Sequence, residues 1–260
     1  PGPGEVTIDI KATGVCHSDL SAMNGTLPQG APFVPGHEGA GEISAVGEGV
    51  TDLAVGDHVI VAWSPPCGKC ETCTERKQPH LCVMIQFAIA GALSFTRNGD
   101  PVFGMAGTGT FAERLNVPQE AAIKIDDDVP FEIASLIGCG VTTGVGAAIN
   151  TAKVVPGSSV VVFGCGGVGI AAIMGARVAG AATIVAVDLV DEKLEQAKEF
   201  GATHGCKPDD LAALQAELTG DGFDYAFEAI GLPVTMRAAF DAVRRGGTAV
   251  VIGVGGMDKE

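Results

Sequence analysis

Cys67, Cys70, Cys73 and Cys82 stand in one short stretch, separated by two, two and eight residues. Cysteines at such spacing can wrap a single Zn²⁺ tetrahedrally, and four protein ligands leave no open position, so a site of this kind holds structure together. Lys69, Arg76 and Lys77 lie within the same stretch and offset part of the thiolate charge. Two disulfides or an iron–sulfur cluster are the rival readings of the spacing. A second constellation is the run from Val160 to Asp188. Gly164, Gly166 and Gly169 form a G-x-G-x-x-G pattern, with Gly167 and Val168 inside it, and Asp188 follows about twenty residues on. The first glycine permits a tight turn, the second lets backbone approach a pyrophosphate, and the third lets helix pack on strand. The carboxylate of Asp188 would accept hydrogen bonds from ribose hydroxyls and repel a 2′-phosphate, and Leu189 supplies no arginine to offset it. The chemistry is that of an NAD site, set against the plainer reading of a nucleotide-free βαβ turn.

These residues need elements to position them. Val160 to Phe163 and Thr183 to Val187 are β-branched, apolar runs that read as buried parallel strands, and Ile170 to Val178 between them has helical spacing. Downstream, the pattern predicts helices over Asp191–Phe200, Asp209–Leu218 and Pro233–Arg244, and strands over Phe223–Glu228 and Thr248–Ile252. Upstream, Glu5–Ala12, Glu42–Val46 and Ala121–Ile125 read as strands and Gly56–Val61 as a turn into another, with Gly14–Asp19 a polar turn and Gly109–Glu113 a loop entering a strand. The segment from Ala88 to Glu120 is glycine-rich with short apolar patches and no clear period. Taken singly, Cys16 reads as a buried thiol and His37 as a hydrogen-bonded core histidine. His58 reads as structural, Cys165 and Cys206 as small packing residues, and Asp126-Asp127-Asp128 as a solvated turn. Cys139 is expected just before a small-residue helix.

Composition narrows the classes. With 260 residues, 47% hydrophobic content and 38 glycines, the chain can hold two medium domains of α/β type. A net charge of −15 opposes a nucleic-acid partner. No uninterrupted apolar run reaches the roughly 18 residues of a membrane helix, and no signal-peptide pattern is visible. Eight cysteines in such a chain point to metal before disulfides. The chain opens at Pro1 directly into a strand-like run and stops just after another, so both ends are expected to continue in a longer protein.

Five motifs in order, GVCHSD, GHEGAGEI, the four-cysteine lobe, IGCGVTTG and FGCGGVG, resemble the zinc-dependent medium-chain alcohol dehydrogenase family over essentially the whole chain. The resemblance implies an α/β architecture: a GroES-like β-barrel catalytic domain over residues 1–140, N-terminally truncated and carrying the lobe at 67–82. A Rossmann doubly wound parallel sheet over 141–260, C-terminally truncated, binds NAD, with the active site in the cleft between. It implies two zinc ions per chain, one held by Cys67, Cys70, Cys73 and Cys82, the other by Cys16, His37 and Cys139 with a position left for substrate. Asp19 matches the carboxylate that orients the ligand histidine, Glu38 an acid beside the zinc, and Ser18 the hydroxyl that takes the substrate proton. His17 matches a contact to the cofactor pyrophosphate, Thr143 a residue near the nicotinamide, and Lys193 one that reaches the adenosine ribose. The implied reaction is hydride transfer between an alcohol, as its alkoxide, and NAD, giving an aldehyde or ketone, in a cytoplasmic homodimer or homotetramer without nucleic-acid or membrane partners. A nicotinoprotein with tightly bound NAD and an external acceptor shares the motifs, as does a non-catalytic zinc- and nucleotide-binding piece.

The chain departs from the family pattern at three places. Ser21 stands where many members carry a histidine that ends the proton relay. The last gap of the lobe is one residue longer than usual. The long segment from Ala88 to Gly109 resembles the branch containing glutathione-dependent formaldehyde dehydrogenases, but Leu27, Gln29 and Gln86 replace the charged residues that hold glutathione there. A neutral alcohol is the expected substrate.

Overall fold

The structure is a computed structural model and describes residues 1–85 and 94–255. Gln86 and the residues beyond Gly255 lie outside the described residues. The chain divides into two compact units, Pro1–Cys139 and Gly140–Glu260.

In the first unit the strands are β1 (Glu5–Thr13), β2 (Phe33–Val34), β3 (Gly39–Val46), β4 (His58–Val61), β5 (Phe95–Arg97), β6 (Asp100–Gly104), β7 (Arg114–Pro118) and β8 (Ala122–Lys124). Five of them make an antiparallel sheet in the order β7-β1-β3-β4-β8, and β2, β6 and β5 make a small second sheet. Alternation along β4 explains its burial on both faces. Val59 and Val61 join Val6, Ile8, Ile43, Leu115 and Val117 in one core, whereas Ile60 points the other way, onto Ala40 and Ala134. Ala134 belongs to the helical segment Phe131–Leu136, which this packing fixes against β1, β3 and β4.

Several local expectations change. Cys16 to Asp19 is not a turn but the start of a helix, His17–Met23, because Asp19 Oδ2 accepts the Cys16 N–H at 2.8 Å and ties off the entry. The hairpin β5–β6 occupies the glycine-rich segment that shows no period in sequence.

Cys139 also sits inside a helix, not before one. Helical structure runs over Phe131–Thr151, with π-type turns at Ile137–Val141 and Ala147–Thr151. By length and composition this is, among the described residues, the one helix long and apolar enough to cross a membrane. The sequence pattern misses it because glycines and threonines interrupt the apolar run. Its segments pack on the sheets of the two units, as Ala134 does in the first and Ala147 and Ala148 in the second. Core helices of soluble proteins pass the same test of length and composition.

The second unit is a parallel sheet of β9 (Ser159–Phe163), β10 (Thr183–Val187), β11 (His204–Cys206), β12 (Phe223–Glu228) and β13 (Val243–Val251), in the order β11-β10-β9-β12-β13. Alternate residues of β9 feed two cores. Val160 and Val162 face Ala172, Ile173, Ala176 and Leu194, while Val161 and Phe163 face Leu211, Ala239 and Ala242. Burial on both faces is why these strands read as continuous apolar runs, and helices on both sides make the sheet doubly wound. The expected strand at Thr248 begins earlier, at Val243, and a register shift over Arg244-Arg245-Gly246-Gly247, with Gly246 at φ +76°, separates that first pairing from the run at Thr248.

One polar clamp sets the register at the foot of this sheet. Asp224 Oδ2 accepts the Ser159 N–H at 2.8 Å and the Ser159 hydroxyl at 2.9 Å, and Asp224 Oδ1 accepts from Arg244 Nε at 2.7 Å. The Ser159 amide hydrogen bond, with the Ser159 hydroxyl and Arg244, holds this carboxyl below its ordinary value of 3.8. A depressed carboxylate stabilises the fold above the unfolded value, and that stabilisation is lost as pH falls through the folded one. Asp224→Asn should therefore cost about 1 kcal/mol at neutral pH. In acid the difference should vanish, because there the wild-type carboxyl is protonated too. Urea melts of both proteins across the acid range check this.

Candidate metal and nucleotide sites

The lobe closes around one point. Among its sulfurs, Cys70 lies 3.5 Å from Cys73 and 3.8 Å from Cys82, and Cys82 lies 3.6 Å from Cys67. A tetrahedron with Zn–S bonds of about 2.3 Å has edges of about 3.8 Å, so the four sulfurs fit a single zinc. A disulfide would need about 2.05 Å, and none of the eight cysteines forms one. Sulfurs this close enclose one ion, with no room for a cluster of several irons. A short 3₁₀ turn at Pro79–Leu81 leads into Cys82, whose sulfur closes the lobe despite the longer gap. Ionisation is shared unevenly. The Cys67 amide draws the Cys82 thiol down to about 6, the Cys73 amide lowers Cys70, and desolvation pushes Cys73 up to about 12. Four adjacent thiols cannot all ionise without a cation among them.

The second cluster gathers residues from three distant parts of the first unit. One ligand atom each from Cys16, His37, Glu38 and Cys139 lies within 4.8 Å of the others. Cys16 caps the helix His17–Met23, His37 and Glu38 precede β3, and Cys139 comes from the π-type turn. Gly138 makes that approach possible, since a Cβ there would come 2.8 Å from the Val61 carbonyl.

Asp19 organises the rest. Its Oδ1 accepts the Gly36 N–H at 3.0 Å and meets His37 Nδ1 at 3.3 Å, and both Asp19 and His37 are buried. A carboxylate at Nδ1 fixes the ring and leaves Nε2 as the ligand atom. Trp63 packs edge-on to His37 with centroids 6.3 Å apart. The hydrogen bond from Cys139, with help from His37 and Ser18, pulls the Cys16 thiol down to about 3. Burial pushes the His37 imidazole down, but Cys16, Asp19 and Glu38 outweigh it and the net direction is up. A thiolate, a second thiol and an imidazole set by a carboxylate are the donors of a catalytic zinc site with one open position.

Ser18 lies at the edge of this cluster as a hydrogen-bond partner of Cys16. Ser21 is buried, with its hydroxyl 3.4 Å from His17 Nδ1. His58 stays outside, packed on Phe131 with ring centroids 4.4 Å apart.

The second unit holds the glycine turn. Gly164 has φ +90°, which only glycine adopts readily, and a Cβ on Gly169 would fall 1.7 Å from the Gly164 carbonyl oxygen. Among the described residues, nothing beyond the adjoining backbone lies within 4 Å of a Cβ built on Gly166 or Gly167, so the backbone at the start of the helix Gly167–Val178 is open to a ligand. Asp188, at the carboxyl end of β10, bends back to this turn. Its Oδ2 accepts the Cys165 N–H at 2.8 Å, which places the acid beside the glycines. The Cys165 thiol is buried, and that burial pushes it up to about 12. Lys193 is exposed on the helix Asp191–Phe200, and Thr143 is partly exposed on the helix Thr142–Gly146. Sequence reading missed Glu228, a glutamate that ends an apolar strand and is wholly buried in the structure. The only sequence signal is its place between Phe227 and Ala229, where a polar strand end normally meets water.

The family model for the alcohol dehydrogenase GroES-like domain matches residues 2–127, and that for zinc-binding dehydrogenases matches residues 167–260. An S-(hydroxymethyl)glutathione dehydrogenase of Synechocystis is 43% identical over all of this chain and 73% of its own length. A class-3 alcohol dehydrogenase of Drosophila melanogaster is 44% identical over all of this chain and 72% of its own. The crystal structure of benzyl alcohol dehydrogenase from Acinetobacter calcoaceticus superposes with a TM-score of 0.91 at 36% identity, covering 100% of this chain and 72% of that one. With both zinc-type clusters formed and the same two domain types matched in order, the chain belongs to the zinc-dependent medium-chain alcohol dehydrogenases.

Proposed function

We propose that the chain carries out NAD-dependent hydride transfer between a small neutral alcohol and its aldehyde or ketone. The observation that carries this reading is the convergence of Cys16, His37 and Cys139 on one point, with Asp19 behind the imidazole. A zinc ion held there supplies a Lewis acid for the alcohol oxygen, and NAD supplies the hydride acceptor.

The chain's own residues do the remaining work. Asp19 holds His37 in one tautomer, so the donor set does not reorganise when substrate enters. Glu38 adds a carboxylate at the cluster's edge. Ser18, already hydrogen-bonded at Cys16, offers a hydroxyl to receive the substrate proton, and Ser21 and His17 stand 3.4 Å apart as the next polar pair. In the second unit Gly164, Gly166, Gly167, Val168 and Gly169 receive the pyrophosphate, and Asp188 takes the ribose hydroxyls with Lys193 nearby. His17 and Thr143 complete the cofactor contacts, in an assembly of two or four copies.

The relatives' names divide between a glutathione adduct and plain alcohols. Leu27 and Gln29 offer no charge to the carboxylates of glutathione, which favours the plain alcohol. Nucleotide reduction measured with benzyl alcohol, primary aliphatic alcohols and S-(hydroxymethyl)glutathione, each with NAD and NADP, tests the reading. Turnover of neutral alcohols with NAD is expected. A clear preference for the glutathione adduct, or for NADP, would overturn the substrate or the cofactor part respectively.

A further inference from the structure

Glu228 closes β12 and is 0% exposed, although it lies at the carboxyl end of a central strand where a glutamate would ordinarily turn to water. Burying a carboxylate is costly unless donors surround it. Here the donors converge on one oxygen. Oε1 accepts the Ile230 N–H at 3.0 Å, the Gly231 N–H at 2.8 Å and the Thr235 hydroxyl at 2.7 Å. Oε2 has no hydrogen-bond partner among the described residues and lies toward Gly253, where a Cβ would come within 2.7 Å of it. The side chain thus ties the loop of residues 229–232 to Thr235 in the first turn of the helix Pro233–Ala242.

That loop lies against the glycine turn. The Ala229 N–H donates to the Phe163 carbonyl at 2.9 Å, and a Cβ on Gly164 would fall 2.5 Å from Ile230 Cγ1. Ile230 is nevertheless 44% exposed, so it presents an open apolar face beside Gly164. On the opposite side Gly231, at φ +89°, backs onto Val254 and Gly255. Ligands of open α/β sheets bind outside the carboxyl ends of the strands, which is where this loop stands.

We propose that Glu228 is a positioning residue for the dinucleotide, fixing the Ile230 and Gly231 amides so that Ile230 forms an apolar wall of the cradle at Gly164. The role rests on the dinucleotide reading given above. It depends on an acceptor oxygen at Oε1, which all three donors share. The amide oxygen of glutamine can take the same three donors, whereas alanine leaves them unpartnered in a dry place.

NADH binding to the full chain, followed by nucleotide fluorescence, tests the role together with amide exchange at Ile230 and Gly231. Glu228→Gln should bind within about threefold of wild type, and Glu228→Ala at least about tenfold more weakly, with faster exchange at both amides. Ile230→Ala, at an exposed site that should not disturb folding, should weaken NADH about fivefold with melting unchanged. In the wild type, NADH should slow exchange at both amides. If Glu228→Ala fails to fold, the Ile230→Ala and exchange results still decide the matter. Wild-type binding with unaltered affinity in Ile230→Ala would overturn the positioning role alone. A wild-type chain that binds no NADH would overturn the dinucleotide reading, and this role with it.

Discussion

Cys16→Ser is expected to lower alcohol oxidation by about a thousandfold or more, while the melting temperature stays near that of the wild type. Partners behind a metal ligand typically cost about 10–100-fold when removed. A ligand itself should cost more, and a thousandfold is about 4 kcal/mol of transition-state stabilisation. Serine keeps the size of the side chain but cannot ionise near neutrality, whereas the Cys16 thiol is held at about 3 by Cys139 and its other partners. Cys16 is also the cap of a short helix, but its backbone N–H to Asp19 survives the change, and a serine hydroxyl can take the Asp19 N–H in place of the thiol. Zinc per chain should fall by one ion, because the lobe is untouched. Metal content, turnover and melting on the same two preparations check the three parts separately. Activity within tenfold of wild type would remove Cys16 from the ligand set.

Cys82→Ser is expected to do the reverse, with stability lost first and activity following. Structural zinc supplies folding free energy outright. The stretch from Cys67 to Cys82 has little else to hold it among the described residues, since only Cys82 within it is buried and the ion pair of Arg76 with Glu71 is exposed. Without a fourth thiolate the lobe should open, and the protein should lose several kcal/mol of stability. Zinc removal by a strong chelator should reproduce the effect in the wild type. Thermal melts with and without chelator, alongside limited proteolysis within residues 67–82, provide the measurement. A variant that melts with the wild type and resists proteolysis there would show that the lobe stands without its metal.

Much of this architecture was legible because burial on both faces of a parallel sheet leaves a coarse signal. Thr183–Val187 and Phe223–Glu228 coincide with observed strands, and Asp191–Phe200 with a helix, since apolar runs and helical spacing survive the few polar residues among them. The lobe was equally plain, as all its ligands are local in sequence. Cys16, His37 and Cys139 were different. Cys16 and His37 alone resembled ordinary core residues and Cys139 only a cysteine ahead of a helix, and only the family resemblance grouped them before the fold brought their atoms within 4.8 Å.

Other features were hidden for physical reasons. The hairpin β5–β6 is short and its strands are half exposed, so alternation had no room to register. The first turns of β13 carry two arginines and two glycines, a string that looks like the end of a helix. Glu228 escaped because sequence gives a strand-ending glutamate no sign of whether it faces water or is folded inward onto its own loop.

The two clusters differ in one further respect, the length of chain that must be present before they can exist. The lobe's ligands lie within one short stretch, so a ribosome has exposed all four soon after Cys82 leaves the exit tunnel. The other cluster waits for Cys139, and in a loose chain the longer closure costs about 2 kcal/mol more. When zinc is scarce during synthesis, the scaffold ion should therefore be acquired first. The cell would then hold a pool of finished but silent copies, which a later supply of metal could wake without any new translation.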